Sequence, residues 1–211
     1  MKKFLLALLV MLVFVTGCSS NNQSNNDESS GNTNESQDAT NDQTTTTEDS
    51  NILIAYFSKT GNTEAIAQEI QSLTNGTLVE IETVEPYPDS YSETVDIAES
   101  EKEANARPEI STTVDNMDQY DTIFIGYPIW WYTYPQVILT FFDNYDLTGK
   151  TIVPFVTHGG SGMSGTEDDM REYLSDKDVT VLDGLAVSRN DIEEDQSQTV
   201  TNWLEELGFI K

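Results

Sequence analysis

Asn51-Ile52-Leu53-Ile54-Ala55-Tyr56-Phe57-Ser58-Lys59-Thr60-Gly61-Asn62-Thr63 is the stretch on which the fold turns. Ile52 to Phe57 is apolar without alternation, as a strand buried on both faces of a sheet must be, whereas a half-exposed strand would alternate. Ser58 and Gly61 close the run. From Thr63 onward Ile66, Ala67, Ile70 and Leu73 recur at helical spacing, and Asn75-Gly76 supplies the stop. The pattern predicts a buried strand, a short polar turn and a helix, in that order.

Downstream the same alternation repeats. Thr77 to Val84 reads as a second strand, Pro86 and Pro88 break it, and Ser90 to Ala106 reads as an acidic helix with a poor apolar face. Thr122 to Tyr127 is a third strand, ended by Pro128; an aromatic loop then leads into a helix from about Pro135 to Tyr145. Lys150 to Val156 forms the fourth strand, and the glycine-rich stretch Gly159 to Gly165 precedes a helix from about Thr166 to Leu174. A fifth strand lies within Val179 to Val187, and Ser197 to Leu207 closes the chain as a helix. Strands and helices taking turns in this way predict an α/β domain, a doubly wound five-stranded parallel sheet with helices on both faces. Ligands of such sheets sit at the carboxyl ends of the strands near the topological switch point, so the loops after strands one, three and four are the place to search.

Upstream of Asn51 nothing resembles a folded domain. Lys2 and Lys3 precede an unbroken apolar run from Phe4 to Val15, too short to span a hydrocarbon core and suited to a signal peptide. Val15-Thr16-Gly17-Cys18 follows and resembles a bacterial lipobox, whose cysteine receives a diacylglycerol and becomes the new N-terminus. Cys18 is the only cysteine, so an intrachain disulfide is excluded. A secretory signal with a chance cysteine, or an uncleaved anchor, is the competing reading. From Ser19 to Ser50 the chain is almost wholly Ser, Asn, Thr, Gln, Asp and Glu, with Ala39 its only apolar side chain, too little to offset the entropy of ordering. As a flexible coil it would reach about 30 Å from the bilayer. Residues 1–17 therefore read as a lipoprotein signal peptide, 18–50 as a disordered polar tether and 51–211 as the folded domain of an exported, membrane-anchored lipoprotein.

The charge balance excludes one class of partner. The chain carries 37 Asp and Glu against 10 Lys and Arg, and residues 51–211 alone carry 30 acids and 8 bases. Phosphate-backbone attraction depends on Lys and Arg, so nucleic acid is not an expected partner. The acidity serves solubility, or it steers a redox partner.

Ser58, Lys59, Thr60, Gly61, Asn62 and Thr63 join a buried strand to a helix, so backbone N–H groups and three hydroxyls converge where the helix dipole favours an anion. No Gly-Lys-Ser/Thr follows the glycine and Gly61 stands alone, which excludes a P-loop and a dinucleotide fingerprint. The turn suits a phosphate monoester held by neutral donors, or a helix merely capped by Thr60 or Asn62. After the third strand, Pro128, Ile129, Trp130, Trp131 and Tyr132 put large aromatics into a loop, where a flat ligand would bury them by stacking; the alternative is that Trp130 and Trp131 belong to the core or an interface. After the fourth strand, Thr157, His158, Gly159, Gly160, Ser161 and Gly162 let backbone approach a ligand closely, or form a plain flexible connector.

Ser58 to Thr63 resembles the phosphate-binding loop of flavodoxins, and Pro128 to Trp131 is similar to the ring-contacting segment of one flavodoxin subfamily, whose other ring-flanking loop follows the fourth strand as Thr157 to Gly162 does. The resemblance covers about Ile52 to Ile210. It implies a flavodoxin-like fold, FMN as cofactor with its phosphate on the first loop and its ring between the other two, and electron transfer to a redox partner protein or a small acceptor. Tyr132 departs from the subfamily, which more often has a small residue there, and could reshape the exposed face of the ring. In this reading no side chain is catalytic, His158 makes a contact, and surrounding acids disfavour the anionic reduced flavin. Two alternatives remain. An NAD(P)H-dependent flavin or quinone reductase needs bases for nucleotide phosphates, and Lys59, Arg107, Arg171 and Arg189 are scattered along the chain. A non-enzymatic flavin-binding lipoprotein would not cycle between redox states.

Overall fold

The computed structural model describes residues 51–211; the expected signal peptide, Cys18 and the expected tether lie outside the described residues. The elements are β1 (Ile52–Tyr56), α1 (Asn62–Thr74), β2 (Thr77–Glu80), α2 (Tyr91–Glu103), β3 (Thr122–Pro128), α3 (Val137–Asn144), β4 (Thr151–His158), α4 (Thr166–Tyr173), β5 (Thr180–Val181), β6 (Leu185–Ser188) and α5 (Ser197–Glu206). Every named strand pair is parallel, in the order β2-β1-β3-β4, with β5 and β6 both on the far side of β4. β5 and β6 occupy one position, so the sheet is five strands wide.

Period-2 geometry sorts the strand residues into two cores. Leu53, Ala55, Ile123, Ile125, Ile152 and Val156 pack with α3 and α4, while Ile54, Tyr56, Phe124, Val153 and Phe155 pack with α1 and α5. Two covered faces explain why β1 reads as continuously apolar. At Gly126 the strands come close: a Cβ there would stand 2.2 Å from Cζ of Phe155, its partner on β4. Phe155 thus fills the space that a β3 side chain would otherwise take.

β4 runs on through Thr157 and His158, which the sequence placed in the loop after it, and three other boundaries differ from expectation for a visible cause. The fifth strand is interrupted, and the cause is in β4. Ile152 and His158 accept from Leu182 and Arg189, so the even-numbered residues of β4 face this edge. The next rung after Leu182 would come from the N–H of residue 154, which is Pro154 and has none, and Gly184 lies where its Cβ would be 2.6 Å from the Pro154 carbonyl. The second strand ends at Glu80, because Val84 and Ser111 bond instead to Glu109 and Glu82 in an antiparallel bridge. The second helix buries only Thr94 and Ala98, in keeping with its polar sequence, and stops at Glu103.

Candidate functional site

The three loops meet at one end of the sheet, and Thr157 is where they are tied. Its hydroxyl lies 2.9 Å from that of Thr63 in α1, and its carbonyl accepts from the Ile129 N–H at 2.9 Å. Thr63 and Thr157 are both buried. The first loop reaches the aromatic loop through Phe57, whose ring meets Trp130 edge-on at 5.4 Å.

The first loop has the chemistry of a neutral anion cradle. Gly61, at φ 82°, is the N-cap of α1, and no side chain caps the helix, so neither Thr60 nor Asn62 acts as its cap. The first intrahelical bond runs from Ala65 to Gly61, which leaves the N–H groups before it for another acceptor. Ser58 Oγ is buried without a partner. Lys59 is engaged by Asp89 at 3.5 Å, so the loop offers neutral donors. Beside it the field is negative. Tyr56 is pushed up to about 12 by burial, then by Glu80, Glu64 and Glu82, and burial raises Glu80 as well.

The aromatic loop is a two-residue turn closed by reciprocal bonds between Trp130 and Thr133, with Trp131 at φ 49° and Tyr132 at φ 62°. Such a turn favours Asn-Gly, and a bulky residue at positive φ costs about 1–2 kcal/mol. α2 holds the strained tip: Trp131 Nε1 donates to the Val95 carbonyl at 3.0 Å, and Lys102 Nζ donates to the Trp131 carbonyl at 2.8 Å. Trp130 is half-buried, Trp131 is 38% exposed and Tyr132 is 74% exposed, so Tyr132 points away from the packed rings.

Tyr87 escapes sequence reading. Flanked by Pro86 and Pro88, it reads as part of a break, yet it is buried with its ring 5.1 Å from Trp130 and 5.5 Å from Phe57. Its hydroxyl donates to Glu101 Oε2 at 2.8 Å, and the two line a cavity of about 480 Å³ with Pro88, Ile97 and Pro108. Burial, then the bond to Glu101, raises the Tyr87 phenol; burial raises Glu101 too, against the opposing bond from Tyr87. The folded protein therefore holds the Glu101 proton more tightly than the unfolded chain. That contribution is fully present below the ordinary carboxylate pKa and is lost as pH rises through the raised value. The stability of the parent relative to Glu101→Gln should fall as pH rises from the ordinary carboxylate pKa through the raised value. Denaturant titrations across that range would show it, and a difference independent of pH would refute it.

On the other side, the glycine loop folds over His158, whose Nδ1 accepts from the Gly160 N–H at 2.9 Å; Gly159, Gly160 and Ser161 are exposed. Buried Tyr127 donates to Thr166 Oγ1 at 2.9 Å, and Thr166 donates to the Met163 carbonyl at 2.7 Å, which joins the end of β3 to the end of this loop. Among the described residues no cluster of side chains suits a metal ion, and no helix is long and apolar enough to cross a membrane.

Comparison with known proteins agrees with this fold. The family model described as Flavodoxin matches residues 51–207. A protein from Bacteroides eggerthii described as a flavoprotein is 31% identical, with a TM-score of 0.65, covering 74% of this chain and 96% of its own. One from Bacteroides uniformis is 29% identical, with a TM-score of 0.66, over 74% and 98% of the two chains. A flavoprotein from Lactobacillus acidophilus, crystallised in complex with FMN, is 27% identical, with a TM-score of 0.55, over 68% and 96%. No curated protein matches.

Proposed function

This chain belongs to the flavodoxin family, and on that premise we propose that it is an FMN-binding electron-transfer protein, exported and held at a membrane through a lipid on Cys18. The observation that carries the reading is the convergence of three loops on Thr157, with the unpartnered Ser58 hydroxyl inside the neutral cradle. FMN supplies reversible uptake of one or two electrons. The protein's part is to bind and orient. Ser58, Thr60, Thr63 and the free N–H groups of the first turn would hold the phosphate, Trp130 or Trp131 would cover the ring, and Gly159 to Gly162 would contact it. Electron carriage is favoured over NAD(P)H turnover because three of the four scattered bases, Lys59, Arg107 and Arg171, are already paired with Asp89, Asp143 and both Asp168 and Asp183.

The purified protein should be yellow and bind FMN more tightly than riboflavin, since only FMN uses the phosphate cradle while both ligands use the aromatic area. A stacked ring should add about 0.5–1.5 kcal/mol beyond area burial and quench flavin emission. Titrating Trp130→Ala and Trp131→Ala separately identifies the stacking residue, which loses both affinity and quenching. Equal affinity for FMN and riboflavin would overturn the site, and steady oxidation of NADH or NADPH would favour the reductase.

The anchor has its own test. Cys18→Ala should leave the domain folded and release it from membranes, and a variant that still sediments with membranes would refute lipidation.

A further inference from the structure

Most cations of the folded domain are already committed. Besides the three paired bases, Lys102 and Lys177 donate to the carbonyls of Trp131 and Phe142, and buried Lys150 donates to those of Met117 and Tyr120. Arg189 differs. Its guanidinium enters no ion pair among the described residues, although Asp191, Glu193, Glu194 and Asp195 follow it closely.

Its position is set by the sheet. Arg189 directly follows β6, its N–H donates to the His158 carbonyl at 2.8 Å, and its guanidinium lies against the glycine loop. A Cβ on Gly159 would be 3.6 Å from its Cζ and 3.7 Å from its Nε, ordinary van der Waals distances, which places the guanidinium directly beside this loop. An unpaired cation thus rests on one wall of the candidate site, in a domain of 30 acids and 8 bases.

We propose that Arg189 supplies the positive charge that holds FMN in its reduced, anionic form. Two electrons and one proton convert the neutral oxidised ring into one bearing a negative charge, while the phosphate keeps its charge throughout and cancels from the comparison. The first loop cannot respond to this change, because its donors are neutral and lie at the phosphate. Surface acids oppose reduction, but beyond about 10 Å salt screens them, whereas a guanidinium on the loop itself acts at close range. Arg189 therefore offsets locally what the acidic surface does globally. The inference rests on FMN binding with its ring against Gly159, and it adds the residue that sets how strongly the bound cofactor holds its electrons.

The test measures affinity for oxidised and for dithionite-reduced FMN in the full-length protein and in Arg189→Gln and Arg189→Lys. Arg189→Gln should bind oxidised FMN as the parent does and reduced FMN about tenfold more weakly, which lowers the two-electron midpoint by about 30 mV. Arg189→Lys keeps the charge and should recover most of the difference, and about 1 M salt should shrink it. Unchanged ratios of reduced to oxidised affinity in Arg189→Gln, or a lysine variant no better than the glutamine one, would overturn the assignment. A parent that fails to bind oxidised FMN would instead overturn the proposed function, and this inference with it.

Discussion

Phe155→Ala is expected to cost about 3–5 kcal/mol, the upper range for truncating a buried aromatic. The side chain is fully buried, and its ring lies over Gly126, which has no side chain to move into the vacated space. The hole would be bounded partly by backbone, so collapse is poor and the cavity cost is retained. Against a total stability of about 5–15 kcal/mol, such a loss threatens the fold. It also reaches the site, because β3 and β4 carry the aromatic and glycine loops. The reciprocal change, Gly126→Ala, should cost about 1–3 kcal/mol by overpacking, since its methyl would meet the Phe155 ring. Combining Gly126→Ala with Phe155→Leu should cost less than the sum of the single changes, the mark of residues sharing one space. Urea denaturation measures all of these. A loss below about 1 kcal/mol for Phe155→Ala would contradict the packing described.

Ser58→Ala should move stability and affinity in opposite directions. Its hydroxyl is buried with no partner, a state that costs about 1–3 kcal/mol for a polar group. Removing the hydroxyl should therefore stabilise the ligand-free protein by about 1 kcal/mol. The same change removes a donor to a charged phosphate and should weaken FMN about ten- to a hundredfold. Thr63→Ala is the contrast. Its hydroxyl already serves Thr157, so losing it should lower stability and affinity together. Melting curves without ligand, read beside FMN titrations, separate a hydroxyl kept for the ligand from one kept for the fold. Should Ser58→Ala destabilise the free protein and leave FMN binding unchanged, the phosphate is held elsewhere.

The expectations from the chain and the observed elements agree where burial alone decides. The unbroken run from Ile52 to Phe57 required a strand covered on both faces, and two cores flank it. The fifth strand was placed correctly but not its interruption, since that depends on Pro154, across the sheet, having no N–H for the rung after Leu182. Tyr87 was passed over because its neighbouring prolines signal a turn, whereas its burial comes from Phe57 and Trp130, which are distant in sequence.

By itself, then, the sequence determined which segments are strands and helices, and which strand ends carry polar, aromatic and glycine-rich loops. Periodicity and turn chemistry are local, and a chain reveals them without folding. Only the tertiary structure decided that Thr63 and Thr157, 94 residues apart, share a hydrogen bond, that Ser58 is left without one, and that Arg189 alone among the four scattered bases escapes an acidic partner. Those outcomes depend on which side chains the β-sheet register brings within about 3 Å of each other, and a hydrogen bond lost or gained at that range is invisible to any pattern along the chain.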